Sequence, residues 1–130
     1  MKLSRPVLHR LRLTDAVVFW PVVLLVVWGS LIPSSVIQVP LYNDKLLHFI
    51  SYFVLAAMGV TAFRARRPAL LVVLGLMVLG GVLEIIQDFV GRQTSIADQL
   101  ANTLGVLVGG ILARLVVERL RRRFPDKQAL

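Results

Sequence analysis

Four apolar stretches, each close to the length of a membrane-spanning helix, constrain this chain more than any other feature. A helix needs about 20 predominantly apolar residues to cross a bilayer. The chain has only 130 residues, of which 57% are hydrophobic and 17% charged, and so small a domain could not bury that much apolar surface in water. The sequence therefore predicts an all-α integral membrane bundle of four transmembrane helices. The stretches run from Ala16 to Ile32, Leu46 to Phe63, Ala69 to Val90 and Ile96 to Val117.

The distribution of basic residues predicts how this bundle is oriented. Of the 15 Lys and Arg residues, all but Lys45 and Arg92 lie before the first stretch, between the second and third, or at and beyond the end of the fourth. Because basic connections stay on the cytoplasmic side, we expect both termini inside the cell and the connections at 33–44 and 91–95 outside. The predicted parts are a basic juxtamembrane segment along the inner membrane surface at 1–15, a transmembrane domain at 16–117 and a basic cytoplasmic tail at 118–130.

Charge and composition narrow the classes of function. A net charge of +8 would suggest nucleic-acid binding in a soluble protein, but membrane topology and anionic head groups account for it here. We therefore expect membrane lipids as partners and no nucleic acid. The chain has no Cys, which excludes thiol catalysis and Cys-ligated metals, and we expect no cofactor. A cleaved signal peptide is the alternative for the first stretch, although its length and two Trp residues favour a retained helix.

Uncommon polar side chains gather at one end of three predicted helices. Residues three or four positions apart share a helix face, so each helix can present one polar stripe. Glu84 lies about 22 Å along its helix from Ala69, roughly 8 Å below the outer boundary of the hydrocarbon core, where an unpaired carboxylate costs several kcal/mol. We therefore expect a small polar pocket that opens outward. Its predicted ligand-binding residues are Asp44, Lys45, His48, Tyr52, Glu84, Gln87, Asp88, Arg92, Ser95, Asp98 and Asn102.

The alternative interpretation is that these polar groups only satisfy one another. Arg92 could pair with Glu84 or Asp88, and His48 could donate to a carboxylate. Other members could cap the helices that they open, because a side-chain oxygen at a helix start accepts from free backbone N–H groups. The capping candidates are Asp44, Ser95 and Asp98.

Small residues recur every four positions in the fourth stretch, as Ala101, Gly105, Gly109 and Ala113. This spacing forms a ridge that lets two helices approach closely. We expect Gly105 and Gly109 to pack against another helix of the same chain, with homo-oligomerisation as the alternative.

Two motifs in this sequence resemble those of a known family. The stretch DKLLHFISY, from Asp44 to Tyr52, is similar to the DKxxHFxxY segment of VanZ-like membrane proteins. A second run is similar to that family's ExxQ…R…SxxDxxxNxxGxxxG pattern. Its residues are Glu84, Gln87, Arg92, Ser95, Asp98, Asn102, Gly105 and Gly109.

The resemblance covers about residues 40–117. It implies a four-span protein of the bacterial cytoplasmic membrane. The members that give the family its name are linked to reduced susceptibility to teicoplanin-type glycopeptides.

Three functions are compatible with the sequence. The first is binding or handling of a cell-envelope amphiphile: a lipid-linked precursor, a phospholipid head group or a lipoglycopeptide, with resistance to antibiotics or envelope stress as the resemblance implies. The second is an enzyme acting on a lipid phosphate, through acid–base chemistry by His48 and Glu84 or through a metal held by these two and Asp98. The third is an accessory subunit of a larger membrane complex. We favour the first, because no nucleophile motif is present, and we expect no resident metal.

Overall fold

Four α-helices make up the part of the chain that the structure, a computed structural model, describes. The described residues are 5–33, 35–36, 41–63, 65–92 and 95–123, and within the helices the side chains of 5–16, 41–43 and 121 are not described. Parts of the predicted juxtamembrane segment, both outer connections and the tail lie outside these ranges. The helices are α1 (Arg5–Ser30), α2 (Leu41–Ala62), α3 (Arg66–Phe89) and α4 (Ile96–Arg123). The predicted all-α four-helix architecture is confirmed.

Three of the helices are long and apolar enough to cross a membrane. The qualifying segments are Asp44–Ala62, Arg66–Phe89 and Ile96–Leu120. Large apolar side chains on their outer faces are exposed, for example Leu71 and Phe89, as expected where lipid is the solvent. In α1 the described apolar part, Val17–Ser30, is shorter than a crossing usually needs. Its crossing and the orientation of the termini stay predictions.

The first helix differs from its prediction in extent. It begins at Arg5, so residues 5–15 continue the same helix that carries the first apolar stretch. Pro21 therefore lies inside the helix and not near its start, where proline is tolerated best. An interior proline removes one backbone donor, which leaves the carbonyl of Val17 without its helical partner. The helix continues past this point because apolar surroundings and neighbouring helices stabilise it.

Helices α2 and α4 form the closest helix pair, because glycine residues of α4 let the two backbones approach each other. A Cβ atom placed at Gly105 would overlap the carbonyl oxygen of Phe49, and one at Gly109 would overlap that of Phe53. Only glycine allows two backbones to approach to this distance. The predicted packing role of Gly105 and Gly109 is confirmed, and their partner is a helix of the same chain.

Helix directions bring the polar ends together. Along the α2–α4 contact, Lys45 meets Asp98 and His48 meets Asn102, so these two helices run parallel and in register. Helix α3 runs antiparallel to both and ends beside their starts. Below this level the core is apolar, and one cluster of buried residues consists of Phe19, Tyr52, Leu55, Ala56, Leu76 and Val106.

Candidate functional site

Two polar contacts join the start of α2 to the start of α4. The Lys45 Nζ donates to Asp98 Oδ1 at 3.2 Å, and the His48 ring Nδ1–H donates to Asn102 Oδ1 at 3.0 Å. Asp98, His48 and Asn102 are buried, with Asn102 only 1% exposed. The spacing produces this pairing: Lys45 and His48 are three residues apart and Asp98 and Asn102 are four apart, and either spacing places both residues of a helix on the face that meets the other helix.

Arg92 links three parts of the chain at the same end. Its Nη2 donates to Asp44 Oδ1 at 3.2 Å, and its Nη1 donates to the carbonyl oxygen of Ser30 at 3.1 Å. The same carbonyl accepts from Gln87 Nε2 at 2.9 Å. The last carbonyls of a helix lack intrahelical partners, and here two side chains of the α3 end satisfy the final turn of α1. Ser30 was not among the predicted site residues, because it contributes a backbone carbonyl that any residue type would provide.

Glu84 is buried but takes part in no ion pair among the described residues. Its Oε2 accepts a hydrogen bond of 3.3 Å from the backbone N–H of Ser95, and its exposed fraction is 7%. The predicted pairing of Arg92 with Glu84 or Asp88 is wrong, because Arg92 reaches Asp44. Asp88 is exposed and does not join the other groups. It follows the buried Gln87 by one residue, a rotation of about 100°, which turns its side chain off the packed face of α3.

The predicted side-chain capping is not seen for any of its three candidates in the described residues, and only one of them lies at a helix start. Helix α2 begins at Leu41, so Asp44 lies inside it, and Asp98 lies in the first turn of α4. Both side chains are engaged in ion pairs with other parts of the chain. Ser95 directly precedes α4, and its carbonyl oxygen accepts from the N–H groups of Asp98 and Gln99 at 3.0 and 3.2 Å. Ser95 therefore occupies the N-cap position.

Two buried polar atoms have no hydrogen-bond partner among the described residues. They are the hydroxyl of Tyr52, whose side chain is 1% exposed, and Oε1 of Gln99. The other end of the Gln99 amide donates to the carbonyl oxygen of Met77 at 3.3 Å. Gln99 was not among the predicted site residues. The glycine at position 80 is the sequence feature that goes with it, because a Cβ there would lie 3.0 Å from Gln99 Oε1 and 3.2 Å from Asn102 Nδ2. Glycine leaves room for both amides.

These contacts define what we call the polar cluster. Its exposed edge is formed by Lys45, Asp44 and Arg92, with side chains 43%, 22% and 19% exposed. Apart from the half-buried Ser95, the remaining members are 9% exposed or less, so the cluster is packed within and accessible at its rim. Its members are Asp44, Lys45, His48, Tyr52, Glu84, Gln87, Arg92, Ser95, Asp98 and Asn102.

One subset has the geometry of a cation site. Ligand atoms of Asp44, His48 and Asp98 lie within 4.8 Å of one another, whereas Glu84, a sequence-based candidate, is not part of this group. Arg92 and Lys45 already neutralise the two carboxylates. A divalent cation would have to displace both side chains, so the local charge favours the existing ion pairs.

The family comparison extends the resemblance seen in the motifs. A family model described as VanZ/LLP1 matches residues 7–117, which is most of the chain. The chain belongs to the VanZ/LLP1 family. The match includes α1, which the two motifs within 40–117 did not cover. No curated protein and no solved structure matches this chain.

The structure shows that the two VanZ motifs contact each other. Lys45 and His48 of the first motif bind Asp98 and Asn102 of the second. Asp44 binds Arg92, and the two glycines of the second motif lie against the backbone of α2 at Phe49 and Phe53. The spacing of each motif therefore follows from one helix contact, in which polar pairs lie at the end and glycine lies deeper.

Proposed function

We propose that the polar cluster of this VanZ-like protein binds the polar head group of a cell-envelope amphiphile. The observation that carries the proposal is the convergence of five buried polar or charged side chains from three apolar helices at one end of the bundle. They are His48, Glu84, Gln87, Asp98 and Asn102. In the predicted orientation this end faces the outside of the cell.

Stability alone gives no reason for so many buried polar groups. Replacing a buried ionic network by apolar side chains of similar volume is often neutral or stabilising. The Tyr52 hydroxyl gives further support, because a buried hydroxyl without a hydrogen-bond partner costs about 1–3 kcal/mol of stability. A polar ligand that reaches this region would give the Tyr52 hydroxyl a partner.

The rim of the cluster provides the means of recognition. The exposed Lys45 and the partly exposed Arg92 are its two cationic side chains, and each is held by one aspartate. A phosphate or carboxylate head group could exchange with Asp44 or Asp98, since a guanidinium offers a two-pronged donor for such anions. The amphiphiles that fit are a lipid-linked precursor, a phospholipid and a lipoglycopeptide such as teicoplanin, the last being the ligand class suggested by the family resemblance.

The test measures binding by the thermal stabilisation that a ligand produces. The purified protein is titrated separately with a polyprenyl phosphate, phosphatidylglycerol and teicoplanin, and a ligand at 100 times its Kd adds about 2.7 kcal/mol to the stability. We expect His48→Ala and Asn102→Ala to abolish the shift for one of these probes. Asp88→Asn is the matched control, because Asp88 is exposed one turn beyond Glu84 on the same helix and should leave the shift unchanged.

Two results would contradict the proposal. One is that none of the three probes stabilises the wild-type protein. The other is that His48→Ala and Asn102→Ala remain folded and bind as the wild type does, which would assign the cluster to the fold alone.

A membrane enzyme acting on a lipid phosphate is the second candidate, and the position of His48 favours it. The ring donates from Nδ1 to Asn102, while Nε2 lies 3.9 Å from Asp44 Oδ1, so a carboxylate and an amide orient the imidazole. Glu84→Gln separates the two candidates. A binding site should keep part of its affinity, because the amide preserves shape and hydrogen bonding, whereas a general acid loses its transferable proton and all activity.

A further inference from the structure

A second site candidate lies at the opposite end of the bundle from the polar cluster. A groove of about 440 Å³ is formed by the end of α2, the start of α3 and the second half of α4. This volume falls within the about 300–1,000 Å³ of typical ligand pockets. Its walls are mostly apolar, and the side chains that the argument uses are Leu70, Val73, Leu107 and Ile111.

Both walls of the groove carry charge at the same end and apolar side chains below it. On α3, Arg66 is followed by Leu70 and Val73, about 6 and 10 Å deeper at the rise of an α-helix. On α4, Arg114 is preceded by Ile111 and Leu107, at about 5 and 10 Å. The groove therefore changes from charged to apolar along the membrane normal, in the same order as a phospholipid changes from phosphate to acyl chain.

The charges at the mouth of the groove favour an anion. Arg114 Nε donates to Glu118 Oε1 at 2.8 Å, and its two terminal nitrogens make no hydrogen bond with the described residues. Arg66 is exposed and has no ion pair in the described part of the chain. The three charged lining residues together carry one net positive charge. A second copy of this chain is a poor occupant, because it would bring its own arginines to the same level.

We propose that this groove binds one anionic phospholipid of the adjacent leaflet, with its phosphate between Arg66 and Arg114. One acyl chain lies along Leu70, Val73, Leu107 and Ile111. Gly110 lines the groove and lets α4 lie close to Val73, since a Cβ there would lie 3.3 Å from Val73 Cγ2. The site is separate from the polar cluster, and the proposal does not depend on the function assigned to that cluster.

Native mass spectrometry of the full chain, equilibrated with equal amounts of phosphatidylglycerol and phosphatidylcholine in detergent, tests this site. We expect one phosphatidylglycerol retained per chain, in preference to phosphatidylcholine. Arg66→Gln should reduce retention about tenfold, as expected for one charge-assisted hydrogen bond. Arg67→Gln is the matched control: it removes the same charge from an exposed neighbour that does not line the groove, and should change retention by less than about twofold.

A second pair of variants tests the acyl-chain part. Leu70→Trp fills the groove and should reduce retention, whereas Leu71→Trp places the same ring on an exposed position outside the lining and should not. Three results would overturn the proposal. They are equal retention of both lipids, an equal loss of lipid in Arg66→Gln and Arg67→Gln, and a protein dimer that retains no lipid. Reduced retention in Tyr52→Phe with unchanged retention in Arg66→Gln would place the lipid in the polar cluster and would also overturn the proposal, so a failure here is distinguishable from a failure of the proposed function.

Discussion

Replacing Gly109 by alanine is expected to separate α4 from α2 and to destabilise the protein. All three atoms nearest to an added Cβ belong to the backbone of Phe53, so no side-chain rotation can relieve the overlap. The helices must move apart by roughly 1 Å to restore van der Waals separation. That movement loosens the same helix contact that holds Lys45 to Asp98 and His48 to Asn102.

The size of the effect follows from two opposing contributions. Overpacking a well-packed contact costs about 1–3 kcal/mol, and here the loss extends along the whole α2–α4 contact. Alanine is favoured over glycine inside a helix by roughly 0.5–1 kcal/mol, which offsets part of this cost. We expect Gly109→Ala and Gly105→Ala each to lower the free energy of unfolding by roughly 0.5–2.5 kcal/mol, the overpacking cost less the gain in helix propensity.

Gly75 provides the control, because a Cβ placed there meets nothing within 4 Å. Gly75→Ala should raise the free energy of unfolding by roughly 0.5–1 kcal/mol, so the same substitution has opposite signs at two positions. The assay is reversible unfolding in mixed micelles with increasing sodium dodecyl sulfate, followed by circular dichroism. If Gly109→Ala is as harmless as Gly75→Ala, the close crossing of α2 and α4 is refuted.

Two further predictions concern the ion pairs and the topology. Arg92→Ala should destabilise the fold by about 1–3 kcal/mol, because it leaves the Asp44 carboxylate without its arginine and removes one of the two donors to the Ser30 carbonyl. Adding Asp44→Asn should recover part of this loss in the same unfolding assay, whereas adding Glu84→Gln should not. Recovery by Glu84→Gln alone would contradict the pairing. The chain has no Cys, so single cysteines can be introduced and labelled one at a time. A cysteine at position 93 should react with a membrane-impermeant thiol reagent in intact cells, and one at position 66 should not. The reverse labelling pattern would contradict the predicted orientation.

The sequence predicted the helices and a close helix contact of α4 because both depend on periodicity. Apolar length gives a spanning helix, and i,i+4 spacing places His48 on the face that meets Asn102. The glycine spacing in α4 indicated a close helix neighbour, and the structure shows that this neighbour is α2. Spacing alone could not choose between α2 and a second copy of the chain.

The details that the sequence did not predict depend on rotation and on backbone atoms. Asp88 shares the i,i+4 spacing with Glu84 but lies off the buried face, whose centre is marked by Gln87 and not by Glu84. The pairing of Arg92 with Glu84 or Asp88 was wrong because both are near in the sequence only, whereas the side chain reaches across to Asp44 on α2 and to the last carbonyl of α1. Neither the rotation of α3 nor the position of the α1 end can be obtained from hydrophobic spacing.

The most direct test of the central claim, that the polar cluster is kept for a ligand and not for the fold, is Tyr52→Phe measured for stability and for binding in the same preparation. The substitution removes a buried hydroxyl that has no partner among the described residues and keeps the ring. We predict that the free energy of unfolding stays constant or rises by about 1 kcal/mol, while the affinity for the stabilising probe falls about five- to tenfold. A loss of stability with unchanged affinity would contradict the claim, because the hydroxyl would then serve the fold.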